Sequence, residues 1–365
     1  MSGKTVNYFA GGNTAKGFYN LLESNLYGLE IVYTLIGGPG NGKSSLIKRL
    51  ASTWIEKGYD IEQIFCPFDN DKLAGLVIPD LKCGIIDATF PQGVKSKAPG
   101  AIEQYVNLGV AWDTSLLSTQ RQAILSYQKQ KNEVLEHAYL SFEKGLLIHD
   151  DLESIYIRNM NFKQADQVTR ELIDKIFISK KGTSKDATEK HRFFGASTPN
   201  GVVDYIENIT EELNKRFFIK GRAGTGKSTL LKKIAAVAIE RNFDVEVYHC
   251  GFDPKSIDMV VIRELRVCVF DSTDPHEYFP TRHGDEIVDL YEKTITPGTD
   301  EANEAEINDF NQRYKQQMKE GITFLHEAKG IHDQLKKIYV EATDFSVVDA
   351  IYEDINRSIE NREEV

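Results

Sequence analysis

The strongest constraint on this chain is that it repeats itself at an offset of 184 positions. Gly221-Arg222-Ala223-Gly224-Thr225-Gly226-Lys227-Ser228-Thr229 follows the apolar run 217–219 and leads into 230–239, which reads as an amphipathic helix. Gly37-Gly38-Pro39-Gly40-Asn41-Gly42-Lys43-Ser44-Ser45 stands at the corresponding place, after the apolar run 31–36 and before 46–50. Strand, glycine-rich loop, lysine, hydroxyl and helix, in that order, make a phosphate-binding loop. Glycine lets backbone N–H groups turn inward around phosphate oxygens, where a side chain would obstruct them. The start of the helix adds unpaired donors and a partial positive charge. Lys43 and Lys227 would reach the outer phosphates, and Ser44 and Ser228 would ligate magnesium. A glycine-rich turn capping a buried helix is the structural alternative. It does not account for Gly-Lys-Ser in both loops.

The match extends well beyond the loops. Phe9, Gly11, Thr14 and Gly17 meet Phe193, Gly195, Thr198 and Gly201 at the same offset. Cys66, Phe68, Asp69, Asp87 and Thr89 meet Cys250, Phe252, Asp253, Asp271 and Thr273. At an offset of 183, Ile148-His149-Asp150 and Ile155-Tyr156 meet Ile331-His332-Asp333 and Ile338-Tyr339. The expected architecture is α/β: two tandem domains with parallel sheets, each followed by a helical hairpin, packed as a pseudo-dimer within one chain. Residues 1–184 form the first (core 1–110, tail 111–180) and residues 185–365 the second (core 190–295, tail 300–365). The boundary falls in the polar stretch 181–190, which lacks apolar periodicity.

Within a repeat, a short strand at 7–10 (192–195) precedes a helix over 16–26 (200–212), with Thr14 and Thr198 placed for capping. The loop and its helix follow, then a second strand at 61–65 (245–249) and a short helix at 71–78 (255–262). A third strand at 83–86 (267–270) ends in Asp87 or Asp271. Alternating strands and helices with near-continuous apolar strands imply a parallel sheet covered on both faces. Three- and four-residue periodicity over 112–180 and 302–360 predicts long hairpins, with His149 and His332 at their bends.

Asp87 and Asp271 each lie 44 positions after the loop lysine, at the tip of an apolar strand. At the strand's C-terminal end, where an α/β sheet binds its ligand, that is the place of a carboxylate holding magnesium; capping the next helix or turn is the alternative role. The position after each is Ala88 or Ser272, so a carboxylate activating water must come from elsewhere. Asp69 and Asp253 are the candidates, with capping of the next element as the other role; Glu62 and Glu246 lie within the strand. His276 is matched by Gln92. Thr89 and Thr273 are placed to sense a terminal phosphate or to close a turn. Arg121, Arg158, Arg170 and Arg282 are candidate arginine fingers that no spacing rule separates. Cys66, Cys83, Cys250 and Cys268 read as small core residues, since no CxxC pair occurs.

The net charge of −11 is uneven: residues 1–184 carry 20 basic and 20 acidic side chains, and residues 185–365 carry 24 and 35. An acidic second half argues against a nucleic-acid footprint across it. No apolar run approaches membrane-spanning length, the first residues lack a signal-peptide core, and four cysteines make no disulfide framework. These features point to a cytoplasmic protein.

The two Gly-Lys-Ser loops resemble those of P-loop NTPases. Their pairing with Cys-x-Phe-Asp (Cys66, Cys250) and Asp-x-Thr-x-Pro-His/Gln (Asp87 to Gln92, Asp271 to His276) is similar to a family of tandem P-loop ATPases from Firmicutes-type bacteria. Pro99-Gly100-Ala101-Ile102-Glu103, Asn107-Leu108-Gly109 and Trp112-Asp113 extend the resemblance over nearly the whole chain. It implies nucleotide binding and a cytosolic location, and names no substrate. Gln92 departs from the pattern, so the first site would bind nucleotide without turning it over if the histidine works in phosphate transfer. With no Asn-Lys-x-Asp guanine signature, ATP with magnesium is the expected ligand. A Mg-dependent ATPase that moves its helical tails is the leading expectation. A nucleotide or small-metabolite kinase with a separate acceptor, and a non-hydrolysing ATP-dependent switch that docks a protein partner, are the alternatives.

Overall fold

The structure, a computed structural model, describes residues 2–363 except 90–92, 94–95 and 184–185. The Phe90-Pro91-Gln92 segment therefore lies outside the described residues. The first half runs β1 (Thr5–Phe9), β2 (Gly11–Thr14), β3 (Gly17–Asn20), α1 (Leu22–Asn25), β4 (Ile31–Ile36), α2 (Lys43–Glu56), β5 (Ile61–Cys66), β6 (Asp69–Ile78), β7 (Cys83–Asp87) and β8 (Glu103–Asn107). Helices α3 (Thr114–Thr119), α4 (Arg121–Arg158) and α5 (Phe162–Phe177) follow. The second half repeats this as β9 (Glu189–Arg192), β10 (Gly195–Thr198), β11 (Gly201–Asp204), α6 (Ile206–Ile209), β12 (Lys215–Lys220), α7 (Lys227–Glu240), β13 (Val245–His249), β14 (Ile257–Ile262), β15 (Val267–Asp271) and β16 (Asp285–Asp289). It closes with α8 (Leu290–Thr294), α9 (Thr299–Ala302), α10 (Glu304–Glu341) and α11 (Phe345–Glu363).

Each half builds a six-stranded sheet, in the order β1-β5-β6-β7-β4-β8 and β9-β13-β14-β15-β12-β16. The sheets are mixed, not parallel throughout, because β6 and β14 run antiparallel to both of their neighbours. These two strands replace the helices expected at 71–78 and 255–262. Leu73, Ala74, Leu76, Val77 and Ile78 are all buried, and a continuous apolar run does not distinguish a strand covered on both faces from a buried helix. Pairing on both edges decides for the strand.

The helices expected at 16–26 and 200–212 are also corrected. Each region is a tight hairpin followed by a single helical turn. The Thr14 hydroxyl donates to the Gly17 carbonyl (2.8 Å) and accepts from Lys16 N–H (3.1 Å); Thr198 does the same with Gly201 and Asn200. Gly17 and Gly201 sit at φ +81° and +99°, where only glycine is unstrained. The threonine therefore closes a turn and caps no helix.

Helices α2 and α7 bury the same face against their sheets. Leu46, Ile47, Leu50, Ala51 and Trp54 are inside in one; Leu230, Leu231, Ile234, Ala235 and Ala238 in the other. The halves meet through Phe9 and Phe193, whose backbones bond reciprocally at 3.0 and 2.8 Å. Equivalent residues bonding each other is the contact pattern of a twofold-related pair.

The tails depart furthest from expectation. They are not hairpins folded back on themselves. Helix α4 lies antiparallel against α10: His137 stacks near Phe324, Phe142 sits over Gly321, and His149 packs on Tyr314. His149 and His332 lie inside these two long helices and not at bends. The tails then cross. Leu172, Ile176 and Phe177 of α5 join the core of the second sheet. Val348, Tyr352, Ile355 and Ile359 of α11 join the core of the first. Among the described residues no helix is long and apolar enough to cross a membrane.

Candidate functional site

Both glycine loops lie at the carboxyl ends of β4 and β12, between strand and helix. Helices α2 and α7 start from Gly42 and Gly226, at φ +90° and +84°, with no side-chain cap. Helices α3, α5 and α8 are capped by Asp113, Asn161 and Asp289, whereas α1, α4, α6, α9 and α10 share the lack of a side-chain cap. The first-turn N–H groups of α2 and α7 take no side-chain cap and face the glycine loop, an arrangement that suits an anion.

The lysines fold over their own loops. Lys43 Nζ donates to Gly38 O (2.6 Å) and lies 3.9 Å from the Asp87 carboxylate. Lys227 Nζ donates to Arg222 O (2.9 Å) and lies 3.5 Å from the Asp271 carboxylate. The strands ending in these aspartates pair directly with the loop strands. Asp87 and Asp271 also close turns, each accepting the hydroxyl of Thr89 or Thr273 (2.6 and 2.7 Å). Ser44 Oγ accepts Leu73 N–H (3.0 Å) and Ser228 Oγ accepts Ile257 N–H (2.9 Å). Each hydroxyl ties the helix start to the antiparallel strand and keeps a lone pair for a cation. Serine, aspartate and uncapped N–H groups are the donor set that magnesium and a polyphosphate require.

Some glycines also answer to packing. A Cβ at Gly37 would overlap Asn41, and one at Gly221 would overlap Thr225. At Gly40 a Cβ would lie 2.8 Å from Lys336 O, and at Gly224 2.6 Å from Glu153 O. Each loop is therefore roofed by the tail of the other half. Met160 approaches Gly226, and Tyr339 and Trp112 flank Gly38.

The second loop opens on a cavity of about 1300 Å³, bounded also by His149 and Glu153 of α4, Tyr314 of α10, Asp253 and His276. Asp253 accepts the Ser256 hydroxyl (3.0 Å) and closes the turn before β14. Asp69 borders a smaller hollow of about 450 Å³ beside the first loop and pairs with Lys72 (2.5 Å). Arg121 and Arg158 end α4, exposed, and Arg170 is exposed on α5. Arg282 donates to the carbonyls of Thr210 and Glu211. Burial pushes the Cys83 and Cys268 thiols up to about 12, as suits core residues.

Three polar residues of the second cavity or its wall escaped sequence reasoning. Asp258 is half-buried on β14 beside Cys250; desolvation and then Asp271 push its carboxyl up to about 7. Asp204 accepts from His276 Nδ1 (2.7 Å) and from the Tyr278 hydroxyl (2.8 Å). The signal was available: at the 184 offset these positions read Ala74, Asn20 and Val94. Compared with family models, curated proteins and solved structures, the chain matches none.

Proposed function

We propose that the chain binds ATP with magnesium at its two glycine loops and is a Mg-dependent ATPase whose turnover shifts the tail lying over each loop. One observation carries this reading. In both halves a lysine at an uncapped helix start lies within 4 Å of an aspartate at the tip of the adjacent strand. The loop N–H groups and lysine would hold the phosphates; Ser44 with Asp87, and Ser228 with Asp271, would hold the metal. Magnesium supplies neutralisation of the phosphate charge that develops as the terminal group leaves.

The test is ADP release by purified protein with ATP and magnesium alone. Lys43→Ala and Lys227→Ala are each expected to weaken nucleotide binding at their own loop, and one or the other to lower turnover; wild-type rates in both variants would sink the reading. A kinase is the second reading, favoured by the size of the larger cavity, about 1300 Å³. Pockets for one small ligand are typically about 300–1,000 Å³. ADP release that begins only when a metabolite pool is added would decide for it.

A further inference from the structure

The two glycine loops are near copies, but the walls around them are not. Asp204, His276 and Tyr278 stand together in the second half, and the corresponding positions 20, 92 and 94 read Asn, Gln and Val. Three interacting residues are present as a set in one half and replaced as a set in the other.

Their geometry fixes one chemistry. Asp204 is the last residue of β11, opposite Gly195 on the β10–β11 hairpin. Burial works against its charged form, but the bonds from His276 and Tyr278 outweigh that and hold its carboxyl below the ordinary value. An ionised carboxylate only accepts hydrogen bonds, so the proton between the two belongs to His276 Nδ1. In the tautomer that carries its proton on Nδ1, Nε2 is the ring nitrogen with a lone pair. That nitrogen takes no hydrogen bond among the described residues. The ring is held edge-on to Phe194 at 4.9 Å and lies close against Gly195, which fixes its plane. His276 borders the same cavity as Lys227, Ser228 and Asp271.

We propose that His276 is the general base of the second site, positioned by Asp204 and Tyr278, and that hydrolysis is confined to this half. The proposal rests on the ATPase reading above. Nε2 takes a proton from water as the water oxygen bonds to the γ-phosphorus. The bond from that phosphorus to the β–γ bridging oxygen breaks, and its electron pair stays on the departing ADP. Inorganic phosphate is released, and the proton on Nε2 passes to solvent. The first loop, with glutamine at the matching position, holds nucleotide without this step.

The experiment pairs turnover with binding of a non-hydrolysable ATP analogue. It uses wild type, His276→Gln (the residue of the first half), Asp204→Asn and His276→Gly. General-base catalysis is worth about 10²–10⁴-fold. His276→Gln should lower kcat by that factor and leave the dissociation constant of the analogue within about twofold. Asp204→Asn, which removes only the orienting partner, should cost about 10–100-fold. Nitrogen NMR of labelled histidine in the nucleotide-free protein should find the His276 proton on Nδ1 in wild type and lose that preference in Asp204→Asn. Added imidazole should restore turnover to His276→Gly and leave wild type unchanged. Full turnover in a folded His276→Gln overturns the proposal. So does a wild-type protein that binds the analogue and releases no phosphate. Failure of wild type to bind the analogue at all would instead remove the ATPase reading on which it rests.

Discussion

Arg192 is fully buried where its repeat partner is Tyr8, and one guanidinium serves both halves. It donates to Glu62 (2.6 Å) and Asn25 (2.7 Å) and lies over the Tyr8 ring at 4.0 Å. Glu246, the repeat partner of Glu62, is 3.7 Å away and is forked by Arg263 at 3.0 Å. Burial would raise the Glu246 carboxyl, but Arg263 and Arg192 outweigh it and hold it down to about 2. These strand glutamates are joint residues; no role at a phosphate follows from their place. Arg192→Met would strand a buried carboxylate, at a cost of about 3–5 kcal/mol, read as a lower denaturation midpoint. Adding Glu62→Gln should recover part of it. A loss under about 1 kcal/mol would mean that water reaches the network. His332 gives a pH prediction. Burial, then Lys131 and Lys72, push its imidazole down to about 4. Below about pH 6.5 the unfolded chain takes up a proton that the folded chain refuses, so this stability is present above that pH and is lost as pH falls toward 4. His332→Gln should flatten the decline in unfolding free energy between pH 7 and 4.5, by about 1–3 kcal/mol; an unchanged slope would refute it.

At the scale of elements, legibility followed how much of the answer was local. Strand β4, helix α2 and their second copies were readable because apolar runs and a glycine loop change the period at one place. Strands β6 and β14 were not, since their apolar residues face two covers and only pairing with β5 and β7, or β13 and β15, settles their form. The hairpins at Thr14 and Thr198 were misread because one hydroxyl serves equally to cap a helix and to close a turn. The crossing of α4 and α10 was invisible for a related reason: periodicity marks an apolar face and not the surface that covers it. At that crossing a Cβ on Gly321 would overlap the Phe142 ring. Gly321→Ala forces the helices apart or the ring off its rotamer, at about 1–3 kcal/mol. Phe142→Leu in the same chain should restore much of the melting temperature, and a neutral Gly321→Ala would mean the helices separate freely there.

For the whole molecule, the crossing of the tails decides what can fold alone. The helix completing the first sheet comes from the far end of the chain. Tyr352 meets Thr53 (2.8 Å), Asn356 Oδ1 accepts from Trp54 (3.1 Å), and Ser358 accepts from Tyr33 (2.7 Å). In return, α5 of the first half covers α7, with Asp166 bonded to Lys233 at 2.6 Å. Duplication alone would suggest that either repeat is self-sufficient, because 184 residues bury an adequate core. The swap removes that sufficiency. A chain of residues 1–184 would lose the cover that α11 gives Tyr33, Thr53 and Trp54, and would carry an α5 with no sheet beneath it. Each half expressed alone is expected to aggregate or to form a compact state without fixed side-chain packing, seen as dye binding and loss of near-ultraviolet circular dichroism. Co-expression should return one soluble 1:1 complex, since the interface lost is core and not rim. Two halves that each melt cooperatively and stay monomeric would show that the crossing is not required for folding. The loops would then be roofed by an exchange the molecule can do without, and tail movement could not report on what either loop binds.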